Sequence, residues 1–401
     1  MRAGRLLIVA AALLAATAAN AETQVKIGVM NDRSGLYADM SGEGSVVAAK
    51  LAIEDFKAAD KGLKVEVVSA DHQNKADVAI NTAREWFDQQ GVDFIVDVPN
   101  SGVALALSEL IKEKNKVFIN SGAAASDLTG AKCSPNTIHW TYDTWALANG
   151  TGSAIVKRGG TSWFFITADY AFGAALERDT AKVVKENGGT VVGAVKAPLN
   201  TQDFSAFLLQ AQSSGAKIIG LANAGGDTIN SIKQAAEFGI VQGGQNLAGL
   251  LIFITDIHSL GLKTAQGLIF TAAFYWDFND QTRAWSDRFM KATGRRPSMV
   301  QAGVYSGVLH YLKAVESLKS AKDGKAVVAK MKEMPTDDPL FGKGEVRADG
   351  RKTHDMYLFE VKKPEESKGP WDYYKLLTTI PADKAFRPLN EGGCPLVTAA
   401  K

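Results

Sequence analysis

The sequence predicts an α/β protein in which parallel sheets are flanked by helices. Short apolar runs alternate with helical segments of roughly 10–15 residues, which is the pattern of parallel sheets covered on both faces. The alternation occurs in two successive series, and several strands end in turns of Ser, Asn, Gly and Ala. The chain has 401 residues. This is long enough for two domains of roughly 100–200 residues each.

The first series occupies residues 25–128. Apolar runs typical of buried strands lie at residues 25–30, 65–69, 94–98 and 117–119. Helical patterns cover residues 45–58 and 77–90, and apolar positions between residues 103 and 111 give a third helix one apolar face.

A second series follows an irregular, aromatic segment at residues 133–143. It predicts helices at 145–157, 172–187, 204–213 and 228–238, and strands at 163–167, 190–195, 218–222 and 250–254. Residues 270–276 are then strand-like, residues 281–292, 299–318 and 325–333 are helical, and residues 341–361 carry hairpin signals. The tail from residue 364 is rich in Pro, Gly, Lys and Glu and is predicted to wrap a surface.

Two small-residue turns follow neighbouring strands of the first series. Adjacent turns at the carboxyl ends of parallel strands form a crevice in which ligands bind, although the same turns could be two ordinary βα loops. Ser101 lies where a helix begins, so its hydroxyl either meets an anionic group there or simply caps the helix. The candidate ligand-binding residues in the two turns are Asn100, Ser101, Ser121, Gly122, Ala123 and Ala124.

The second series has a comparable turn at residues 223–227, which contains Asn223, Ala224 and Asp227. Asp227 fits the N-cap of the helix predicted at 228–238. Asp256 follows the strand predicted at 250–254, and it either meets a cationic group of a ligand or caps the next turn.

Aromatic residues cluster in the candidate loops and in the segments that join the two series. They could wall a pocket with flat apolar surface and a polar tip, and the alternative for each of them is ordinary packing. These residues are Tyr37, Trp140, Tyr142, Tyr170, Tyr275 and Trp276.

Composition and motifs exclude several classes of function. Lys and Arg number 45 against 43 Asp and Glu, and no basic stripe with interleaved aromatics suggests a nucleic-acid partner. The sequence lacks the G-x-S-x-G, H-E-x-x-H, P-loop and G-x-G-x-x-G patterns of common catalytic and nucleotide sites. It therefore argues against an enzyme and for noncovalent capture of a small molecule.

The amino terminus resembles an export signal. Arg2 and Arg5 precede an apolar run at residues 6–16 that is too short to span a bilayer, and Ala19 and Ala21 fit a small-x-small cleavage site. We expect residues 1–21 to be removed, although a short buried N-terminal helix is the alternative. No other apolar run approaches 18 residues, so we expect a soluble exported protein.

Export makes the two cysteines informative. In an oxidising compartment, Cys133 and Cys394 are expected to form a disulfide rather than two free thiols. The five histidines show no ligand spacing, so neither a metal nor another cofactor is predicted.

Together these features resemble the periplasmic solute-binding proteins of ABC transporters, in the type I group that contains the leucine/isoleucine/valine-binding proteins. The resemblance covers nearly the whole mature chain and rests on the order and spacing of its motifs. The motifs are IGVMNDRSGLYAD after the leader, SGAAASDLT, ADYAFG, IKQAAEFG and TGRRPS.

The resemblance implies a two-lobed type I periplasmic-binding-protein fold with three hinge crossovers and a ligand held between closing lobes. The crossovers would lie near residues 140–143, near 270–273 and near Leu340. Lobe 1 would comprise residues 22–141 plus 272–340, lobe 2 residues 142–271 plus 341–385, and the tail at 386–401 would return to lobe 1.

The resemblance also implies roles for site residues. In amino-acid-binding members, a serine at the position of Ser101 and a hydroxyl at the position of Ala124 hold the α-carboxylate, and Gly122 supplies a carbonyl ligand. The α-ammonium would meet Asp256 or Asp227. Because Ala124 has no hydroxyl, the ligand is either branched-chain amino acid-like or a small aromatic or aliphatic carboxylate.

The implied function is the periplasmic substrate-binding component of an ABC importer. We expect a monomer that captures a small-molecule ligand and delivers it to membrane permease subunits. The alternatives are a periplasmic ligand sensor that feeds a signalling protein and, third, a periplasmic enzyme.

Overall fold

The computed structural model describes residues 22–397. The predicted export signal at residues 1–21 lies outside the described residues. Within the described part, none of the helices combines the length and the apolar character that a membrane crossing requires.

The first half of the chain forms a five-stranded parallel sheet. Its strands are β1 (Thr23–Asn31), β2 (Leu63–Asp71), β3 (Phe94–Asp97), β4 (Val117–Asn120) and β5 (Thr137–His139), in the order β2-β1-β3-β4-β5. The connecting helices are α1 (Gly42–Phe56), α2 (Ala76–Asp88) and α3 (Ser101–Glu113). Strand β5 lies inside the segment that the sequence predicts as irregular, because a three-residue strand is too short to show a pattern.

The second series forms a four-stranded parallel sheet. Strands β6 (Ser162–Ala168), β7 (Thr190–Ala197), β8 (Ile218–Ala222) and β9 (Asn246–Gly249) pair in the order β7-β6-β8-β9. The helices are α4 (Thr144–Leu147), α5 (Ser153–Lys157), α6 (Ala171–Glu186), α7 (Ser205–Ser213), α8 (Gly226–Glu237), α9 (Ile254–Leu260) and α10 (Leu262–Ala265). A π-helical turn at Ala148–Gly152 joins α4 to α5, so the helix predicted at 145–157 is continuous.

The strand predicted at residues 250–254 is wrong. The strand at this place is β9, which ends at Gly249, and Ile254 already begins α9. Residues 250–253 form a fully buried apolar loop. These residues are apolar because the loop that follows β9 is buried, and not because they pair with a strand of the sheet.

The last part of the chain adds helices and two small antiparallel sheets. It contains β10 (Ile269–Ala272), α11 (Asp280–Thr293), α12 (Met299–Leu318), α13 (Gly324–Glu333), β11 (Thr336–Asp338), β12 (Gly342–Val346), β13 (Lys352–Thr353), β14 (Met356–Val361), β15 (Tyr374–Ile380) and α14 (Ala382–Ala385). One antiparallel sheet has the order β10-β14-β15, and another has the order β11-β12-β13. The tail predicted to wrap a surface therefore includes a paired strand, β15.

Helix α12 covers the first sheet. Ser298 caps it by accepting a hydrogen bond from the Gln301 amide at 3.2 Å, and the helix packs against α1. A β-carbon at Gly303 would overlap the hydroxyls of Thr141 and Ser121. The absence of that carbon lets α12 lie directly against the ends of β4 and β5.

We call the five-stranded sheet with α1–α3, α11–α13 and β11–β13 lobe 1, and the four-stranded sheet with α4–α10, β10, β14 and β15 lobe 2. The sequence predicts that residues 341–353 belong to lobe 2 and that the third crossover lies near Leu340. Within this segment, Gly350 accepts a hydrogen bond from the His139 amide of β5 at 2.9 Å. His354 follows, and its Nε2 lies 2.8 Å from the Thr141 carbonyl.

The predicted disulfide is present. Cys133 and Cys394 are bonded with their Cα atoms 5.6 Å apart. The bond ties the carboxyl-terminal segment to the loop that precedes β5.

Candidate functional site

A small cavity lies between the two lobes, at the carboxyl ends of the strands of both parallel sheets. This is where open α/β sheets bind ligands. The cavity measures about 10 Å³, roughly the room that one water molecule needs. Its walls are Tyr37, Met40, Pro99, Gly122 and Ala124 from lobe 1, Tyr142 from the first crossing, and Tyr170, Phe172, Ala224 and Leu251 from lobe 2.

The lobes touch each other across this cavity. The hydroxyls of Tyr37 and Tyr170 are hydrogen-bonded, and the Gly226 amide donates to the Leu36 carbonyl at 3.3 Å. Gly225 has a φ of 57°, and a β-carbon there would lie 2.5 Å from the Leu36 oxygen. Only glycine allows this approach. Because the lobes are in direct contact here, we call this arrangement the closed form.

The hydroxyl groups among the side chains of the wall belong to Tyr37, Tyr142 and Tyr170. Burial raises the pKa of Tyr37, and the neighbouring Tyr170 and Asp227 raise it further. Burial also raises the pKa values of Tyr170 and Tyr142. The phenols therefore stay neutral and can donate hydrogen bonds at neutral pH. The Tyr142 hydroxyl donates to the Gly122 carbonyl at 2.5 Å.

Ser101 joins the two small-residue turns of lobe 1, but it does not cap α3. The N-cap is Asn100, whose side chain accepts from the Val103 amide at 3.1 Å. The Ser101 Oγ accepts from the amides of Ala124 at 3.3 Å and Ala125 at 3.2 Å. The turns after β3 and β4 are thus adjacent, as the sequence predicts, and their polar groups converge at the amino end of α3.

A buried carboxyl group shapes the turn after β3. Asp97 and Val98 have φ angles of 90° and 58°, a region that is strained for a β-branched residue. The Asp97 carboxylate accepts from Asn31 Nδ2 at 2.9 Å and Ser41 Oγ at 2.7 Å. Burial raises the pKa of Asp97 to about 6, against the opposing effect of these hydrogen bonds. Asp97 is not among the residues predicted from the sequence, because its only signal is an acid at the end of an apolar strand.

Two predicted residues of the second turn do not line the cavity. The Ser121 hydroxyl donates to a backbone carbonyl of α12 at 2.7 Å. The Asn120 side-chain amide donates a hydrogen bond to the Ala123 carbonyl at 2.8 Å, and its Oδ1 accepts one from the Ala123 amide at 2.9 Å. From this turn the cavity is lined instead by Gly122 and Ala124.

Asn223 and Asp227 support the lobe 2 wall from behind. The Asn223 amide group donates to Ser231 Oγ at 2.9 Å and so ties the turn to α8. Asp227 is not the N-cap of α8, because the helix begins at Gly226 after the cap Gly225. The Asp227 carboxylate accepts from the Asn200 amide at 3.1 Å. Burial raises its pKa to about 6. Ala224 does line the cavity.

Asp256 caps a helix, which is one of its two predicted roles. Its carboxylate accepts from the Phe253 amide at 2.9 Å, at the amino end of α9. Burial raises the pKa of Asp256 to about 7. Neither Asp256 nor Asp227 is part of the cavity wall.

Three of the six predicted aromatic residues lie away from the cavity. Trp140 donates to Ser306 Oγ at 2.9 Å in the lobe 1 core. The Trp276 indole donates to the Trp371 carbonyl at 2.8 Å, and Tyr275 lies beside it. The predicted aromatics that do line the cavity are Tyr37, Tyr142 and Tyr170.

The apolar part of the wall could not be predicted from the sequence. Met40 and Phe172 have no distinguishing signal, because apolar residues in loops and helices are usually core, and Leu251 lies in a run that has the composition of a strand. Among residues 22–397, no set of three His, Cys, Asp or Glu side chains converges as metal ligands would.

Comparison with known proteins identifies the family. The periplasmic binding protein family matches residues 24–369. A Leu/Ile/Val-binding protein homolog of Brucella melitensis is 27% identical over 368 residues, covering 88% of this chain and 91% of the relative.

Two solved structures are similar over almost the whole chain. A periplasmic binding protein from Burkholderia mallei is 53% identical, with a TM-score of 0.91 over 94% of this chain and 100% of that one. A branched chain amino acid ABC transporter periplasmic ligand-binding protein from Burkholderia xenovorans is 43% identical, with a TM-score of 0.83 over 93% and 100%. The chain therefore belongs to the periplasmic binding protein family, in its type I fold, and is a substrate-binding protein of the ABC-transporter class.

Proposed function

We propose that the protein captures a small carboxylate with an aromatic or branched aliphatic body in the interlobe cavity and delivers it to an ABC permease. The observation that carries this proposal is the composition of the cavity wall. The wall combines tyrosine hydroxyls with apolar surface, and it includes no acidic side chain. An α-ammonium group would need a carboxylate there, because a buried charge without a partner is costly.

Candidate hydrogen-bond donors for a carboxylate lie beside the cavity wall residue Ala124, at the amino end of α3. There the Ser101 Oγ accepts from the amides of Ala124 and Ala125, so a ligand oxygen would accept the Ser101 proton or replace Ser101 as the acceptor of these amides. The helix macrodipole favours an anion at this place. The bond between Tyr37 and Tyr170 uses one of their two hydroxyl protons. The other proton remains for a ligand oxygen.

A branched-chain amino acid is the second candidate. The 43% identical Burkholderia xenovorans protein is named for branched-chain amino acids, and Ser101 and Gly122 keep the residue types of that pattern. For this ligand, Asp227 would have to turn from the Asn200 amide toward the cavity. The Tyr142 hydroxyl would also have to leave the Gly122 carbonyl.

Capture requires the lobes to open and close again. The closed cavity holds about one water molecule, so a solute must part Tyr37 from Tyr170 before it can enter. Closure around a ligand by hinge rotation is a known transition. We propose that the permease recognises the reclosed form. We also propose that the division of the chain into lobes follows the two parallel sheets described above.

A ligand screen tests the proposal. The protein is unfolded, dialysed and refolded to remove bound solute, and then titrated with benzoate, 4-hydroxybenzoate, isovalerate, leucine, isoleucine and valine. A ligand at 100 times its Kd adds about 2.7 kcal/mol of stability, which thermal unfolding detects and calorimetry confirms. We expect the carboxylates to bind at least tenfold more tightly than the amino acids. The reverse order would establish the second candidate.

The same samples test whether the protein is an enzyme. We propose that it is a nonenzymatic monomer, exported to the periplasm after cleavage near Ala21. We expect the bound ligand to be recovered chemically unchanged and light scattering to give the mass of a monomer. Mass spectrometry should show a mature chain whose first residue is near Glu22. Ligand turnover would contradict the receptor function.

A further inference from the structure

A second cavity lies next to the first, along the same boundary between the lobes. It also measures about 10 Å³. Its walls come from the loop after β9, from the segment after β10, from the start of α12 and from β15. They include Phe253, Phe274, Tyr275, Met299 and Tyr374.

One pair of aromatic rings connects the walls of the two cavities. Tyr142 lines the first cavity and Phe253 lines the second. Their ring centroids are 6.3 Å apart at an interplanar angle of 67°, which is edge-to-face contact. The chain neighbours Leu251 and Ile252 also lie on opposite sides, Leu251 at the first cavity and Ile252 at the second. The partition between the cavities is therefore the pair of contacting rings, with Tyr142 on the side of the first cavity and Phe253 on the side of the second.

We propose that Phe253 is a specificity-determining residue, which closes the second cavity to the ligand and so limits the length of the carboxylate that the site accepts. This inference rests on the proposed function. The accepted solutes are those with one compact apolar body, such as a benzoate. An arylalkyl carboxylate carries its ring further from the carboxyl group, and the ring would have to pass the Phe253 side chain into the second cavity.

Phe253 is held rigidly enough to act in this way. Its side chain is 1% exposed. Its backbone lies at the amino end of α9, where its amide donates to the Asp256 carboxylate at 2.9 Å. Asp256 thus fixes the backbone of Phe253 at this place. The far wall is apolar and flat: the rings of Tyr275 and Tyr374 stack with centroids 4.9 Å apart, a surface suited to a second ring.

The test compares wild type with Phe253→Ala in calorimetric titrations with benzoate, phenylacetate, 3-phenylpropanoate and 4-phenylbutanoate. One methylene in an apolar pocket changes discrimination by roughly 10–200-fold. In Phe253→Ala, we expect the ratio of the association constant of 3-phenylpropanoate to that of benzoate to rise about tenfold or more. The matched control is Phe165→Ala, since Phe165 is equally buried in lobe 2 and lines neither cavity. Its ratio should equal that of wild type.

The inference would be overturned if the ratio were unchanged in Phe253→Ala or rose equally in the control. It would also be overturned if the wild-type protein already bound 4-phenylbutanoate as tightly as benzoate. Phe253→Leu replaces Phe253→Ala if the alanine variant does not fold. If wild type binds no member of the series, the proposed ligand class fails, and the partition is then tested without a ligand. Crystals of the variant under xenon should show one density that continues from Tyr142 to Tyr275. Two separate densities, or none between these residues, would contradict the role of Phe253.

Discussion

Replacing Tyr170 with phenylalanine removes the hydroxyl that meets Tyr37 across the lobe boundary. The Tyr37 side chain is 1% exposed, so in the closed form its own hydroxyl loses this partner without gaining water. A buried polar group left unsatisfied costs about 1–3 kcal/mol. In the open form the Tyr37 hydroxyl is hydrated and the cost disappears. The substitution therefore acts on closure and should weaken ligand binding by roughly 5–150-fold.

A double-mutant cycle separates this effect from other changes. Replacing both partners by apolar groups of the same shape can be nearly neutral. Tyr37→Phe combined with Tyr170→Phe should therefore lose less affinity than the two single substitutions together, with a coupling energy of about 1–2 kcal/mol. The measurement is isothermal calorimetry with the tightest ligand of the screen.

The control for the cycle is Tyr275→Phe. The Tyr275 hydroxyl donates to the Trp371 carbonyl at 3.3 Å, and Tyr275 lines the second cavity rather than the first. Affinity should change by less than about 0.5 kcal/mol in this variant. Additive losses from the two substitutions at Tyr37 and Tyr170, or losses no larger than that of the control, would refute the closure argument.

Three further predictions concern stability, measured as the free energy of unfolding in urea. Replacing Cys133 and Cys394 by serine should cost about 5 kcal/mol, because the bond closes a loop of 261 residues in the unfolded chain; equal stability of the oxidised protein and the variant would contradict this. Burial lowers the pKa of Lys352 to about 8, so the wild-type protein gains stability as pH rises from about 8 to about 10.5. Lys352→Met should add about 3 kcal/mol to the free energy of unfolding at pH 7 and abolish that rise. Burial raises the pKa of Asp97 to about 6, so its protonated form is favoured in the folded state and stability is lost as pH rises from about 4 to about 6. Asp97→Asn should remove this loss, about 3 kcal/mol, and an unchanged pH profile would disprove it.

Helix α12 could be predicted from the sequence with its bounds. The Ser298 and Gln301 pair signals the start of the helix, and the apolar pattern continues to Leu318. Strand β9 could not be placed, because the apolar run at residues 250–254 has the composition of a strand. Burial between lobes and burial within a sheet select the same residue types.

The site could be predicted in outline and not in detail. The small-residue turns after β3, β4 and β8 contribute Pro99, Gly122, Ala124 and Ala224 to the wall of the interlobe cavity. The pairing of Tyr37 with Tyr170 joins residues 133 positions apart, and only the closed arrangement of the lobes brings them together. The capping role of Asp256 depends on the exact start of α9, and boundaries of elements are the least predictable feature of a sequence.

The most direct test of the account is a crystal structure of the protein with the tightest carboxylate of the screen. The account predicts that the carboxyl group lies at the amino end of α3, near the amides of Ala124 and Ala125. The apolar body should lie between Tyr37, Tyr142 and Tyr170, with the lobes closed on it. A ligand found outside this cavity, or one whose amino group is bound by Asp227, would contradict the account.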